Sequence, residues 1–249
     1  MMTMNISKIQ PIPNEPAVVI TAHHQLVIAD LHIGIERELR EHGLHIPSQT
    51  STMIHRVVSL IKTYAIQSLI IVGDIKHNIP TSTMQERRDV QHFLGHISNH
   101  CTIHVLPGNH DGNLSKMITD DIMLHDSAGA VIGEIGFVHG HRWPNADVME
   151  CQSVFIAHTH PTIQLTDRLG YKTYEPCWLR CSGNTEIREK YPKISEIEFI
   201  MLPAFNPLCG GIAVNTEPIL GPFEKILDIQ QANVYLLDGS ALGQVQDIK

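Results

Sequence analysis

Residues 68–77 read Ser-Leu-Ile-Ile-Val-Gly-Asp-Ile-Lys-His. Ser68 to Val72 is a short β-favouring apolar run, and Gly73-Asp74 ends it with a turn residue and a carboxylate. The same device recurs outward in both directions. Upstream, residues 26–29 lead into Asp30-Leu31-His32. Downstream, residues 102–106 lead into Pro107-Gly108-Asn109-His110-Asp111, residues 136–138 into His139-Gly140-His141, and residues 154–157 into His158-Thr159-His160. Between the first two runs, Met53, Val57, Leu60, Ile61 and Tyr64 recur at helical spacing, with Ser48 or Thr50 available as N-cap. Val90, Phe93, Leu94 and Ile97 repeat that spacing before the third run. Strand-helix-strand units of this kind build a partly parallel sheet, whose carboxyl ends lie on one side.

Ligands of open α/β sheets bind in the crevice outside those carboxyl ends. A single carboxylate or histidine there is ordinarily a solvated turn residue. Repetition changes the reading, because buried strands need only apolar residues and core packing gives no reason for metal-competent side chains to follow each one. Oxygen and imidazole donors gathered at one sheet edge suit two hard or borderline cations side by side.

Composition sets the outer bounds. The chain has 249 residues, 43% of them hydrophobic, enough for one substantial α/β core. No apolar run approaches the ~20 residues of a membrane span. Residues 1–10 lack the basic start and apolar stretch of a secretory signal, so the expectation is a cytoplasmic protein with no membrane partner. The formal net charge of −8, with 18 Lys plus Arg, argues against a broad basic surface for nucleic acid, although ligand carboxylates inflate the negative count. The 5 cysteines are scattered and odd in number; they read as reduced core residues and are assigned no chemistry. His92, His96 and His100 read as a solvated helix face, and His23 and His24 as surface residues.

After Pro161 the pattern shifts to strand-like segments at 171–180, 196–202 and 234–237, separated by Gly and Pro turns. With no long linker, they are expected to form a second sheet packed on the first. The expected organisation is one domain over residues 1–249. Its motif-bearing part spans about 26–161, and the strands of the second sheet about 162–249.

In this order, Asp30-x-His32, Gly73-Asp74, Gly108-Asn109-His110-Asp111, His139-Gly140-His141 and His158-x-His160 resemble the signature of the calcineurin-like metallophosphoesterase superfamily. The resemblance covers residues 26–161. It implies a four-layer α/β sandwich, two packed mixed sheets flanked by helices, with a dinuclear centre at the carboxyl ends of the strands. Carried over by position, it implies that Asp30, His32 and His160 hold one metal, that Asn109, His139 and His158 hold the other, and that Asp74 bridges them. An anion between two dications roughly 3.5–4 Å apart offsets their repulsion. A water between the metals would then attack phosphorus in line.

His110 is the candidate to protonate the leaving oxygen, with Asp111 expected to orient its ring. His77, His141 and Arg142 are candidate substrate contacts. Ala157 stands where relatives commonly have Gly. The segments 73–77, 201–208 and 234–239 resemble a microbial branch of phosphoesterases, some bacterial members of which are associated with DNA ligase and a helicase. That likeness implies manganese-dependent phosphodiester hydrolysis on DNA, a role in DNA repair, and a possible helicase or ligase partner. Iron, zinc or nickel suits the same mixed donors. The alternatives are a phosphomonoesterase with the same centre, a mononuclear zinc hydrolase using His139, His158 and His160, and a non-catalytic protein-binding scaffold. Asn206, between two prolines, reads as a loop-capping amide.

Overall fold

The computed structural model describes residues 9–248; residues 1–8, part of the stretch that lacks a secretory pattern, lie outside them. The first sheet is 6-stranded and runs in chain order: β1 (Ile9–Pro11), β2 (Val18–Ile20), β3 (Gln25–Ala29), β4 (Ser68–Val72), β5 (Thr102–Leu106) and β6 (Ile122–Leu124). Strands β1 to β3 pair antiparallel, and β3 to β6 are parallel. The parallel strands end level, Ala29 beside Val72 and Val72 beside Leu106. Asp30, Asp74 and the 107–111 loop therefore leave the sheet at one height.

Crossovers are made by α1 (Glu36–Glu41), α2 (Thr50–Thr63) and α3 (Met84–Ile97). α2 buries Met53, Ile54, Val57, Leu60 and Ile61, and α3 buries Val90, Phe93, Leu94 and Ile97, the stripes that close one face of the sheet. Thr83 caps α3 by accepting from the Glu86 backbone N–H, 3.0 Å. At the start of α2, Ser48 Oγ accepts from the Thr50 backbone N–H at 3.3 Å. Gln49, the boundary residue, makes no side-chain cap bond, and its backbone N–H donates to Glu36 Oε1 at 2.7 Å.

The second sheet comprises β7 (Ala130–Ile132), β8 (Ile135–Val138), β9 (Ser153–Ile156), β10 (Pro161–Thr166), β11 (Lys172–Ser182), β12 (Glu198–Met201), β13 (Ile212–Ala213), β14 (Asn233–Leu236) and β15 (Ala241–Gln244). Its main path is β13-β10-β11-β12-β9-β8-β7, with β14 joined to β11 and β15 to β14. β8, β9 and β12 are mutually parallel, with Val138 beside Ile156 and Ile156 beside Met201. A shared interior seals the two sheets: Val27, Ala29, Ile70 and Val72 face Phe137, Phe155, Trp178 and Ile200. The Phe137 and Phe155 rings stack 5.3 Å apart.

The outer face of the second sheet is covered by Ile187 of the one-turn helix α4 (Ile187–Lys190), by Val148 and Met149, and by Phe223 in a 3-10 turn. The fourth layer is thus short turns and loops, whereas the first carries long helices. The expectation of a single sheet edge for the polar clusters needs correction. Asp30, Asp74 and the 107–111 loop end strands of the first sheet, whereas His139, His158 and His160 follow strands of the second. They converge because the parallel strands of both sheets end at the same side of the shared interior. Among the described residues, no helix is long and apolar enough to cross a membrane.

Candidate metal centre

Sharp backbone turns aim the side chains. Asp30, His32, Asp74, His158 and His160 all adopt positive φ, at 54°, 40°, 46°, 70° and 47°. Left-handed backbone at a residue with a Cβ costs on the order of 1–3 kcal/mol each and persists only where the surroundings enforce it. Here they do. Asp30 N–H donates to Gly73 O (3.2 Å) and His32 N–H to Asp74 O (2.8 Å), while Ala157 N–H donates to His139 O (2.9 Å). The strand ends are laced to one another, and the strain is spent on pointing donors inward.

Asp74 Oδ2 lies 3.6 Å from His32 Nε2 and 3.3 Å from His139 Nε2. On one side, His32 Nε2 is 3.3 Å from His160 Nε2, which is 3.4 Å from Asp30 Oδ1. On the other, His139 Nε2 is 3.2 Å from Asn109 Oδ1. Donor atoms of Asp30, His32 and Asp74 all fall within 4.8 Å of one another, as do those of Asp74, His139 and His158. The two groups share Asp74. Asp30 and His139 are fully buried, and Asp30 Oδ1 accepts no hydrogen bond. A buried carboxylate oxygen with only imidazole nitrogens beside it, His160 Nε2 at 3.4 Å and His139 Nδ1 at 3.6 Å, and no hydrogen bond is costly, and a cation at this position would offset that cost. The donor set, mixed carboxylate, amide and imidazole, fits divalent cations of the first transition row.

Electrostatics agree with a site that calls for positive charge. Burial drives His32 down to about 2, with Asp74 opposing, and His158 down to about 3, so both imidazoles are neutral donors. At His139 burial also works against the charge, but Asp74 and then Asp30 outweigh it and raise the group to about 9. Burial pushes Asp74 up, yet His139 and His32 together hold it well below the carboxylate range. The carboxylates therefore hold a proton on His139, which a bound cation has to displace.

An outer layer fixes which ring nitrogen faces inward. Glu38 Oε2 is 2.6 Å from His77 Nε2, and His77 Nδ1 is 3.1 Å from His32 Nδ1. With Nε2–H donating to Glu38, His77 Nδ1 accepts from His32 Nδ1–H, and His32 Nε2 presents its lone pair toward Asp74. His160 Nδ1–H donates to Gly210 O at 2.9 Å, with the same result at its Nε2. His77 is therefore a neighbour of His32, in contact with it and stacked on His110.

The structure corrects one expected role. The Asp111 carboxylate does not meet the His110 ring. It accepts from the backbone N–H groups of Gly108 (2.9 Å), Ile75 (2.9 Å) and Lys76 (3.2 Å), tying the loop after β5 to the loop after β4. These donors outcompete an imidazole because they converge on a buried pocket that only an anion satisfies. Burial, then the charge of Asp74, raises Asp111 to about 6. His110 Nδ1–H donates instead to the His77 carbonyl.

His141 is half-buried beside His139, ring centroids 5.2 Å apart, with an unpartnered Nδ1. Arg142 is exposed and donates to Ser127 Oγ at 2.8 Å. Asn206 caps its own loop as expected, donating to Leu31 O at 2.8 Å and accepting from Leu208 N–H. Sequence reasoning missed Glu38, on a short helix with no strong apolar stripe. It also missed Cys209, whose Sγ groups with donor atoms of His32 and His160.

No protein-family model matches this sequence, and no curated protein matches it. Among solved structures, the crystal structure of Pseudomonas putida nuclease MPE aligns with a TM-score of 0.58 at 19% identity, covering 94% of this chain and 99% of that one. YfcE, a phosphoesterase from E. coli, aligns at 15% identity over 88% of this chain and 97% of its own, with a TM-score of 0.42. The chain has the two-sheet α/β fold of the Pseudomonas putida nuclease.

Proposed function

We propose that this protein is a dinuclear metal-dependent phosphodiesterase acting on DNA or another nucleotide ester. The observation that carries the reading is the position of Asp74, one carboxylate set between His32 and His139 with a donor group on either side. Asp30, His32 and His160 would hold one cation, Asn109, His139 and His158 the other, and Asp74 both. Two divalent cations, drawn from manganese, iron, zinc or nickel by the mixed donor chemistry, would supply Lewis-acid stabilisation of phosphoryl charge and an acidified water.

The chain's own residues do the rest. The Glu38-His77 pair orients His32, and Gly210 orients His160. His110, anchored through Nδ1–H to the His77 carbonyl, would in its imidazolium form carry a second proton on Nε2 to give to the departing oxygen, leaving the neutral ring. Asp111 holds the loop that carries Asn109 and His110. Choice of a nucleic-acid ester rests on the fold shared with a nuclease.

The test is to strip the protein of metal, restore manganese, zinc or nickel singly, and offer a phosphomonoester, a simple phosphodiester, and single- and double-stranded DNA. Cleavage of the diester and of DNA is expected to exceed that of the monoester. Faster monoester cleavage would make it a phosphomonoesterase, and no turnover of any ester with any metal would refute the enzyme.

Three expected results follow from the residues around the cations. His110→Ala should slow a diester with a poor leaving group roughly 10²-fold or more, and one with a good leaving group much less; equal slowing of both would remove the proton-donor role. Glu38→Gln should weaken metal binding roughly 10–100-fold with little change in fold, because the His77 tautomer is no longer set. Titration calorimetry with the purified variant reads this directly, and unchanged affinity would contradict it. Metal supplied at 100 times its Kd should stabilise the protein by about 2.7 kcal/mol for each occupied site, roughly 5–11 °C in melting temperature per site at this size. Calorimetric scans with and without chelator measure it, and coincident scans would argue against a folded-state metal site.

A further inference from the structure

With the dinuclear centre placed as proposed above, on which the following rests, the loop 205–211 bears on which metal is bound. It is pinned over the first cation position. Phe205 N–H donates to Ala29 O (2.8 Å), Asn206 N–H to Asp30 O (3.4 Å), Asn206 Nδ2 to Leu31 O (2.8 Å), and Cys209 N–H to Asn206 O (3.1 Å). Gly210 O receives His160 Nδ1–H. Gly211 packs so tightly that a Cβ there would lie 2.2 Å from His160 O. The loop is held by its own backbone, and Cys209 is carried inward with it.

Cys209 Sγ and one ring nitrogen each of His32 and His160 lie within 4.8 Å of one another, and the sulfur is 3.9 Å from Asp30 O. Asp30 Oδ1, fully buried and without a hydrogen bond, lies 3.4 Å from His160 Nε2. The remaining cysteines lie elsewhere. Cys101 packs beneath the first sheet, and Cys151, Cys177 and Cys181 belong to the outer core of the second. Among the described residues, only Cys209 shares a group with potential metal ligands.

We infer that Cys209 supplies a sulfur donor to the first cation position, which thereby takes a borderline or soft divalent cation such as zinc or cobalt in preference to manganese or magnesium. The second position, built from Asp74, Asn109, His139 and His158, has only oxygen and nitrogen donors and suits harder cations. The centre is accordingly asymmetric and binds two different metals when both kinds are present. On binding, the Cys209 S–H bond breaks, its proton leaves to solvent, and a sulfur-metal bond forms without any change of oxidation state.

Cobalt(II) reports thiolate ligation by a near-ultraviolet charge-transfer band. Metal-free full-length protein titrated with Co²⁺ should bind two equivalents and develop the band with one of them. Cys209→Ser should bind cobalt without the band, and its preference for zinc over manganese at one site should fall by at least about tenfold. Two equivalents bound with no band, or a band that survives in Cys209→Ser, would overturn the inference while leaving the dinuclear reading intact. No cobalt bound at all would overturn both. A second measurement needs no variant: alkylation of Cys209 in the unsubstituted protein, located by peptide mass, should be slowed by Zn²⁺ and not by Mg²⁺. Equal alkylation rates in the two metals would contradict sulfur ligation.

Discussion

Asp74→Asn is expected to lower kcat/KM for a simple phosphodiester by roughly 10³-fold or more, about 4 kcal/mol of transition-state stabilisation, and to leave the fold in place. The substitution keeps shape and removes charge. Asp74 Oδ1 accepts from His110 N–H at 2.8 Å, so an asparagine would keep its amide oxygen on that donor. Its NH₂ would then face His32 and His139, where Oδ2 now sits. Donors would face the cations, and the one anion shared by both positions would be gone. Metal content should fall together with activity, read by elemental analysis of the dialysed variant. A variant within threefold of the parent in both would show that Asp74 bridges nothing.

The second large effect concerns Gly73. Its φ is +82°, and an added Cβ would sit 1.9 Å from His139 Nδ1. His139 is fully buried, with that nitrogen 3.6 Å from Asp30 Oδ1, so the ring has nowhere to retreat. Gly73→Ala combines left-handed backbone, roughly 1–2 kcal/mol, with overpacking, roughly 1–3 kcal/mol. The expected loss is about 2–5 kcal/mol, or roughly 4–20 °C in melting temperature, and metal affinity falls with it because His139 is displaced. Gly43→Ala is the control. It also has positive φ, +87°, but nothing lies within 4 Å of the added Cβ, so only the backbone contribution remains. Equal destabilisation by the two substitutions would mean that the contact with His139 is unimportant.

The strands that carry the site were legible because parallel strands buried on both faces read as largely apolar runs, unbroken from Leu69 to Val72 in β4 and interrupted only by His104 between Ile103 and Leu106 in β5. The donors were legible because each follows such a run with no packing reason to be there. Pairing was less so. That His139 and His158 follow strands of a second sheet depends on Ile156 meeting Met201, a partner from beyond the motif region. The three-residue strands β1, β2, β6 and β7 have too few residues to show alternation.

The outer layer was hidden for a different reason. Glu38 meets His77 across 39 positions, and Cys209 reaches Asp30 across 179, so no local spacing encodes either contact. Asp111 misled by proximity. Next to His110 in sequence, it turns instead to three backbone donors that only the folded loops bring together.

The central claim, that two cations share Asp74, is tested most directly by metal stoichiometry. Metal-free protein equilibrated with excess manganese and zinc and then freed of unbound ions should retain two equivalents per chain, and Asp74→Asn should retain at most one. A single equivalent in the parent protein, or two in the variant, would contradict it.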